Sequence, residues 1–136
     1  PTRRSSDLAR KVMEYSREKF DLVFNDEFVF YKLIIDDWCQ FDEFIAEIEK
    51  NVRNSKSFHG IIALMDSFSS RVMLPKTKFR HICAEERHDL FEFKKDDIRV
   101  YVIKGESDIT IAMGGYKKEQ KSDISRLKRN LKDYPQ

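Results

Sequence analysis

The sequence predicts an α+β domain: a small, mostly antiparallel sheet with two helices packed on one face and a basic C-terminal helix. Three observations carry that prediction. Between Asp89 and Lys118, three alternating runs are separated by two short polar turns. Between Phe41 and Phe68, apolar residues recur at helical spacing in two stretches. After Ser122, Ile124, Leu127, Leu131 and Tyr134 form one stripe, while Arg126, Lys128, Arg129 and Lys132 lie off it.

From the start of the chain, PTRRSSDL resembles a translated sequencing-adapter fragment, so residues 1–8 are expected to be foreign and Arg3 and Arg4 are not read as a nucleic-acid arm. Leu8 to Phe20 has helical composition with a thin apolar stripe, which makes residues 1–22 an expected N-terminal extension and 23–136 the domain proper. Phe28 to Ile35, FVFYKLII, is an almost unbroken aromatic and β-branched run, the signature of a covered strand. Asp36-Asp37 ends it. Phe41, Phe44, Ile45, Ile48 and Val52 then define a first helix with Asp42 and Glu43 in its first turn, as the helix dipole favours. Asn54-Ser55 is expected to break it, and Ser57 to cap a second helix bearing Phe58, Ile61, Ile62, Met65 and Phe68 before Pro75. Leu74 to His88 has no clean period and reads as a long loop or irregular strand. In the meander that follows, Phe91 and Phe93 alternate with Leu90, Glu92 and Lys94. Past the Asp96-Asp97 turn, Ile98, Val100 and Val102 alternate with Arg99, Tyr101 and Ile103. Ile109, Ile111 and Met113 form the third row. The opposite face is expected to be wet, carrying Glu92, Lys94, Arg99 and Tyr101, with Tyr116, Lys117 and Lys118 at the strand exit after Gly114-Gly115.

One domain is the natural reading of 136 residues, and 40% hydrophobic content with eleven Phe is enough for a core. No apolar run approaches the ~20 residues that span a bilayer, and no leader pattern is visible, so the expected location is cytoplasmic. Cys39 and Cys83 lie in different elements without metal spacing, and three His add no ligand set, so no metal and no cofactor are expected. The net charge of +2 hides an asymmetry. Asp21 to Ser70 has four Lys/Arg against ten Asp/Glu, whereas Arg71 to Gln136 has sixteen against eleven. A basic half built around a sheet fits a polyanionic partner, though surface charge also serves solubility alone.

The order LFEFKKDDIRVYVIKG, ITIAMGGYKK and a basic terminal helix resembles the C-terminal half of the RelE/HigB-type toxins of bacterial toxin–antitoxin modules, over roughly Phe28 to Tyr134. The most specific parts are IRVYV after a short turn and the basic strand exit. The resemblance implies a metal-independent endoribonuclease that cleaves mRNA, on or off the ribosome, and is neutralised by an antitoxin protein. The alternatives are a toxin of the ParE branch that inhibits a target protein such as gyrase, and an inactive phage- or plasmid-derived remnant.

RNA cleavage requires groups that hold phosphates, offset charge on the scissile phosphate and move protons at the 2′-hydroxyl and the leaving oxygen. By resemblance, Arg99 is the strand arginine set against the scissile phosphate; by pattern alone, it equally fits a cross-strand ion pair with Glu92. Tyr116, Lys117 and Lys118 follow two glycines that let the backbone bend, and basic groups at this exit occur in the family's active sites. His81 is a candidate proton-transfer group. Lys94, Arg80, Arg87 and Lys78 are candidate phosphate contacts, and Tyr101 a candidate for stacking on bases. Glu92 stands where some relatives carry a base-like lysine, a departure that bears on catalysis.

Overall fold

The protein is described here from a computed structural model covering residues 12–24, 27–85 and 88–135. The meander forms as its alternation requires: β4 (His88–Lys95), β5 (Ile98–Lys104) and β6 (Asp108–Tyr116) pair antiparallel in succession. Asp96, with φ 53°, makes the first turn. β3 (Phe79–Glu85) adds to the outer edge of β4, with a bulge between His81 and Cys83. On the inner side, β2 (Val29–Ile35) lies parallel to β6, and β1 (Tyr15–Lys19) pairs antiparallel with β2. The result is one six-stranded sheet in the order β1-β2-β6-β5-β4-β3.

A parallel β2–β6 pair needs a long crossover, and α1 (Gln40–Ile48) and α2 (Val52–Ser69) begin it. Both lie on one sheet face. There Phe41, Phe44, Ile48, Phe58, Ile61 and Met65 meet Phe30, Phe93, Ile98, Val100, Val102, Ile109 and Ile111, all fully or nearly fully buried, with Phe91 packed at the margin. Each such side chain contributes about 1.5–3 kcal/mol on burial, so this face dominates stability. Gln40 extends the sheet where β2 turns away: its carboxamide donates to the Gly114 carbonyl at 2.9 Å and accepts the Gly114 N–H at 2.8 Å.

Three expectations are corrected. The helical reading of Leu8 to Phe20 gives way, over its described part, to β1, because backbone pairing with β2 outweighs a thin apolar stripe. Asn54-Ser55 does not break a helix: α1 ends earlier, and Asn51 caps α2 by accepting the Asn54 N–H at 3.0 Å. Ser57 is therefore inside α2, where its hydroxyl donates to Asp96 Oδ2 at 2.6 Å and ties the helix to the β4–β5 turn. Of the two readings of Leu74 to His88, the irregular strand is the one found: β3 lies within it and carries a bulge between His81 and Cys83.

The third correction concerns the wet face. α3 (Gln120–Asn130), entered through a 3-10 turn at Lys117–Glu119, lies across it, and a second core forms from Leu33, Leu90, Tyr101, Ile103, Ala112, Met113, Leu127 and Leu131. The apolar stripe of the terminal helix needs a surface, and the other face is already occupied. Tyr15 and His88 secure its far end: the Tyr15 hydroxyl donates to the Asn130 carbonyl at 2.6 Å, and His88 Nε2 lies 3.0 Å from the Tyr134 carbonyl. Among the described residues, no helix is long and apolar enough to cross a membrane.

Candidate functional site

Two register rows cross the α3 side of the sheet near the α3 N-terminus. One runs Arg80, Glu92, Tyr101, Met113 and the next Lys94, Arg99, Gly115. Alternation puts their side chains on the same side of the sheet. The candidate cations Arg80, Lys94 and Arg99 are thus neighbours, and Lys78, whose carbonyl accepts the Lys94 N–H at 2.7 Å, stands at the entry to β3.

Their partners differ from those expected. Glu92 is fully buried and pairs with Arg80, not Arg99: Arg80 Nε donates to Glu92 Oε2 at 2.6 Å. Gln120, from the first turn of α3, donates to both Glu92 oxygens at 2.9 and 3.1 Å. Arg99 is 7% exposed and folds back on its own turn, one terminal nitrogen donating to the carbonyls of Asp96 at 2.8 Å and Ile98 at 2.9 Å. Its Nε and the Tyr101 hydroxyl are buried without a hydrogen-bond partner among the described residues. Tyr101 is completely enclosed under α3, so its ring packs the second core rather than presenting a surface on which a base can stack.

Charge in this row is shaped by desolvation. Burial raises the pKa of the Tyr101 hydroxyl far above its ordinary value, and the charges of Asp123 and Glu92 add to the effect against Arg99 and Arg80. Burial likewise raises the Asp123 carboxyl, opposed by Arg126 and reinforced by Glu119.

The strand exit occupies a different place. Tyr116 turns to the helix side, its ring meeting Phe44 edge-on at 5.4 Å. Lys117 and Lys118 are exposed, and the Lys117 N–H donates to the Asp97 carbonyl at 2.8 Å. With Glu47, Asn54 and Asp97 these three residues line a cavity of about 660 Å³ between the ends of α1, α2 and the β4–β5 turn. Burial raises the Tyr116 hydroxyl pKa, and the neighbouring Glu47 carboxylate adds to it.

His81 joins neither group. On edge strand β3 its ring sits 4.9 Å from Phe91, a residue of the helix-side core, and its Nε2 lies 2.7 Å from Asp89 Oδ1. The sheet itself separates it from the Arg99 side chain. Arg87 lies outside the described residues. The expected set is thus divided: Arg80, Lys94, Arg99 and Tyr101 on one face, Tyr116 on the other, Lys117 and Lys118 at the end where the faces meet, and His81 at the far edge.

Sequence reading missed Gln120, Asp123, Glu47, Asn54 and Asp97. The first two were visible in principle: Gln120 and Asp123 precede Leu127 and Leu131 at spacings of three and four, so two polar residues stand on the apolar stripe of the terminal helix. The other three come together only through the fold. Among the described residues, no group of three or more His, Cys, Asp or Glu side chains is arranged to hold a metal ion. Compared with protein-family models, curated proteins and solved structures, the chain gives no match.

Proposed function

We propose that this chain is a toxin of the RelE/HigB type, a metal-independent endoribonuclease that acts on mRNA in the cytoplasm and is held in check by an antitoxin protein. One observation carries the reading. The two segments on which the sequence resemblance rests are paired directly in space: Arg99 lies opposite Gly115 and Ile98 opposite Tyr116. The strand arginine and the basic strand exit therefore belong to one end of one sheet, with Lys94 across from Arg99 on the next strand. Cations at such an end hold an RNA backbone by charge, and a guanidinium beside the scissile phosphate offsets the charge that grows as the 2′-oxygen attacks.

A second reading, a toxin that binds and inhibits a target protein without cutting RNA, is favoured by the separation of His81 from Arg99 and by the burial of Arg99 against its own turn. Expression in a bacterial host, with growth and transcript 5′ ends recorded, distinguishes the two. Growth arrest with new 5′ ends that vanish in Arg99→Ala supports the nuclease, and arrest without cleavage supports the target-binding toxin. No arrest and no cleavage leaves an inactive remnant.

A further inference from the structure

A two-residue hairpin at the end of β2 holds the chain's one tryptophan out of the fold. Ile35 and Trp38 exchange backbone hydrogen bonds: the Ile35 N–H donates to the Trp38 carbonyl at 2.9 Å and the Trp38 N–H to the Ile35 carbonyl at 3.0 Å. Asp36 and Asp37 between them have φ of 50° and 64°, the left-handed pair that such a turn demands and that residues other than Gly adopt at a cost. Glu14, next to β1, braces the turn. The Asp36 N–H donates to the Glu14 carbonyl at 2.8 Å, and Asp36 Oδ1 accepts the Glu14 N–H at 3.0 Å. Trp38, fixed in this way, is 53% exposed.

Beside the hairpin lies a cavity of about 310 Å³, at a corner of the sheet that α3 leaves open. Its floor is the second core, at Leu33, Met113, Leu127 and Leu131, and Trp38 and Met13 stand at its wall. Its rim carries opposite charges on different elements, Asp36 on the hairpin and Arg126 on α3. The Arg126 side chain is 52% exposed, and its contact with Asp123 is long, 3.7 Å. A rigid aromatic projection thus sits next to an apolar recess, with an acidic turn on one side and a guanidinium on the other.

We infer that this face is a two-fold interface between copies of this chain, in which Trp38 of each copy enters the cavity of the other and the Asp36-Asp37 turn meets the other copy's Arg126. Such contacts require a surface complementary to itself. A projection adjacent to its own recess meets that requirement, because a half-turn about an axis between them exchanges the two. The charges follow the same exchange, acid onto base. A small apolar molecule would fill the cavity and leave Trp38 in water. A segment of another protein would have to supply both a projection for the cavity and a pocket for the indole, whereas a second copy brings both. Tryptophan is a frequent anchor of interfaces, and one held by a braced turn loses little freedom on docking. The inference does not depend on the RNA-directed reading.

The test is sedimentation of the full chain from low to high micromolar concentration, with tryptophan emission recorded on the same samples. The protein is expected to pass from monomer to dimer, and the emission of Trp38 to move to shorter wavelength in step. Trp38→Ala, a change at an exposed side chain, should stay folded by circular dichroism and remain monomeric. Asp37→Lys and Arg126→Glu should each weaken association roughly tenfold or more, because each puts like charges together twice in the dimer. An equimolar mixture of these two variants should recover association, since the mixed dimer again sets opposite charges face to face. A monomer at every concentration overturns the interface, whether the cavity then takes a small amphiphile, seen as a Trp38 emission shift on adding decanoate, or a different protein. A dimer that persists in Trp38→Ala, or variants that gain nothing on mixing, overturns it equally.

Discussion

Gly115 lies directly beneath Asp123: a Cβ on Gly115 would stand 2.1 Å from Asp123 Oδ2 and 3.8 Å from the Tyr101 ring. The missing side chain lets the first turns of α3 approach the sheet closely enough for Gln120 to reach Glu92 and for Asp123 to be buried. Gly115→Ala should therefore lift the start of α3 and cost about 1–3 kcal/mol, the usual range for overpacking. That corresponds to a melting temperature lower by roughly 4 °C per kcal/mol for a domain of this size. In an Asp123→Ala background the obstruction is gone, and the same substitution should cost much less. Additive losses in the double variant would show that the contact does not govern the approach.

The Arg80–Glu92 pair should respond asymmetrically. The Glu92 side chain is fully buried, while that of Arg80 is 43% exposed. Removing Arg80 leaves a buried carboxylate with only Gln120 to satisfy it, a situation that costs about 3–5 kcal/mol. Removing the carboxylate instead frees a guanidinium that water can reach. Arg80→Ala should thus destabilise more than Glu92→Leu, and the double variant should be more stable than Arg80→Ala alone. Denaturant unfolding of the three variants decides it; equal losses for the two single changes would mean that water reaches Glu92 once Arg80 is gone.

These two relationships also mark where the sequence stopped being readable. The meander was legible because Phe91, Phe93, Ile98, Val100, Val102, Ile109 and Ile111 alternate with period two and all face the α1–α2 core. The opposite row, Glu92, Lys94, Arg99 and Tyr101, has the alternation of a solvated face, and nothing local reveals that α3 will cover it. Helix borders failed where side-chain capping decides: Asn54-Ser55 looks like a breaker, yet Asn51 holds the Asn54 N–H and α2 runs through. The position of His81 was not legible, for a topological reason. A period-two count cannot foresee which side of the sheet faces its partner groups, and the bulge between His81 and Cys83 shifts the register just beyond it. The β6-exit cavity joins residues 47 to 118, a juxtaposition set by the parallel β2–β6 pairing and its crossover.

Stability should carry a pH signature from Asp123. Its folded-state pKa is raised above the ordinary aspartate value of 3.8, chiefly by burial, with Glu119 adding and Arg126 opposing. A raised folded pKa means that the folded state binds the proton more tightly than the unfolded chain. The resulting stability is fully present below pH 3.8 and is lost as pH rises through the raised folded value. Asp123→Asn carries no charge at any pH, so it should be more stable than wild type at neutral pH. That advantage should vanish as the pH falls below the ordinary aspartate value. Thermal unfolding of both proteins from acid to neutral pH tests the sign, and an advantage for wild type at neutral pH would show that the Asp123 charge is stabilised rather than penalised.

Arg99 is the residue on which the functional reading turns. If its guanidinium offsets charge on the scissile phosphate, the interaction strengthens in the transition state, and Arg99→Ala should lower cleavage by ~10²-fold or more, about 2.7 kcal/mol. Its structural role sets a competing expectation. Two backbone carbonyls, those of Asp96 and Ile98, accept from Arg99, and these bonds hold the β4–β5 turn. Arg99→Ala leaves them open and should cost about 1–3 kcal/mol of stability. Arg99→Lys separates the two roles, since a lysine keeps the charge but cannot reproduce the planar fork of donors. Cleavage and unfolding should therefore be measured on both variants below their melting ranges. Loss of cleavage in Arg99→Lys with its folding retained places the guanidinium in phosphate recognition, whereas cleavage that tracks the folded fraction confines Arg99 to the turn.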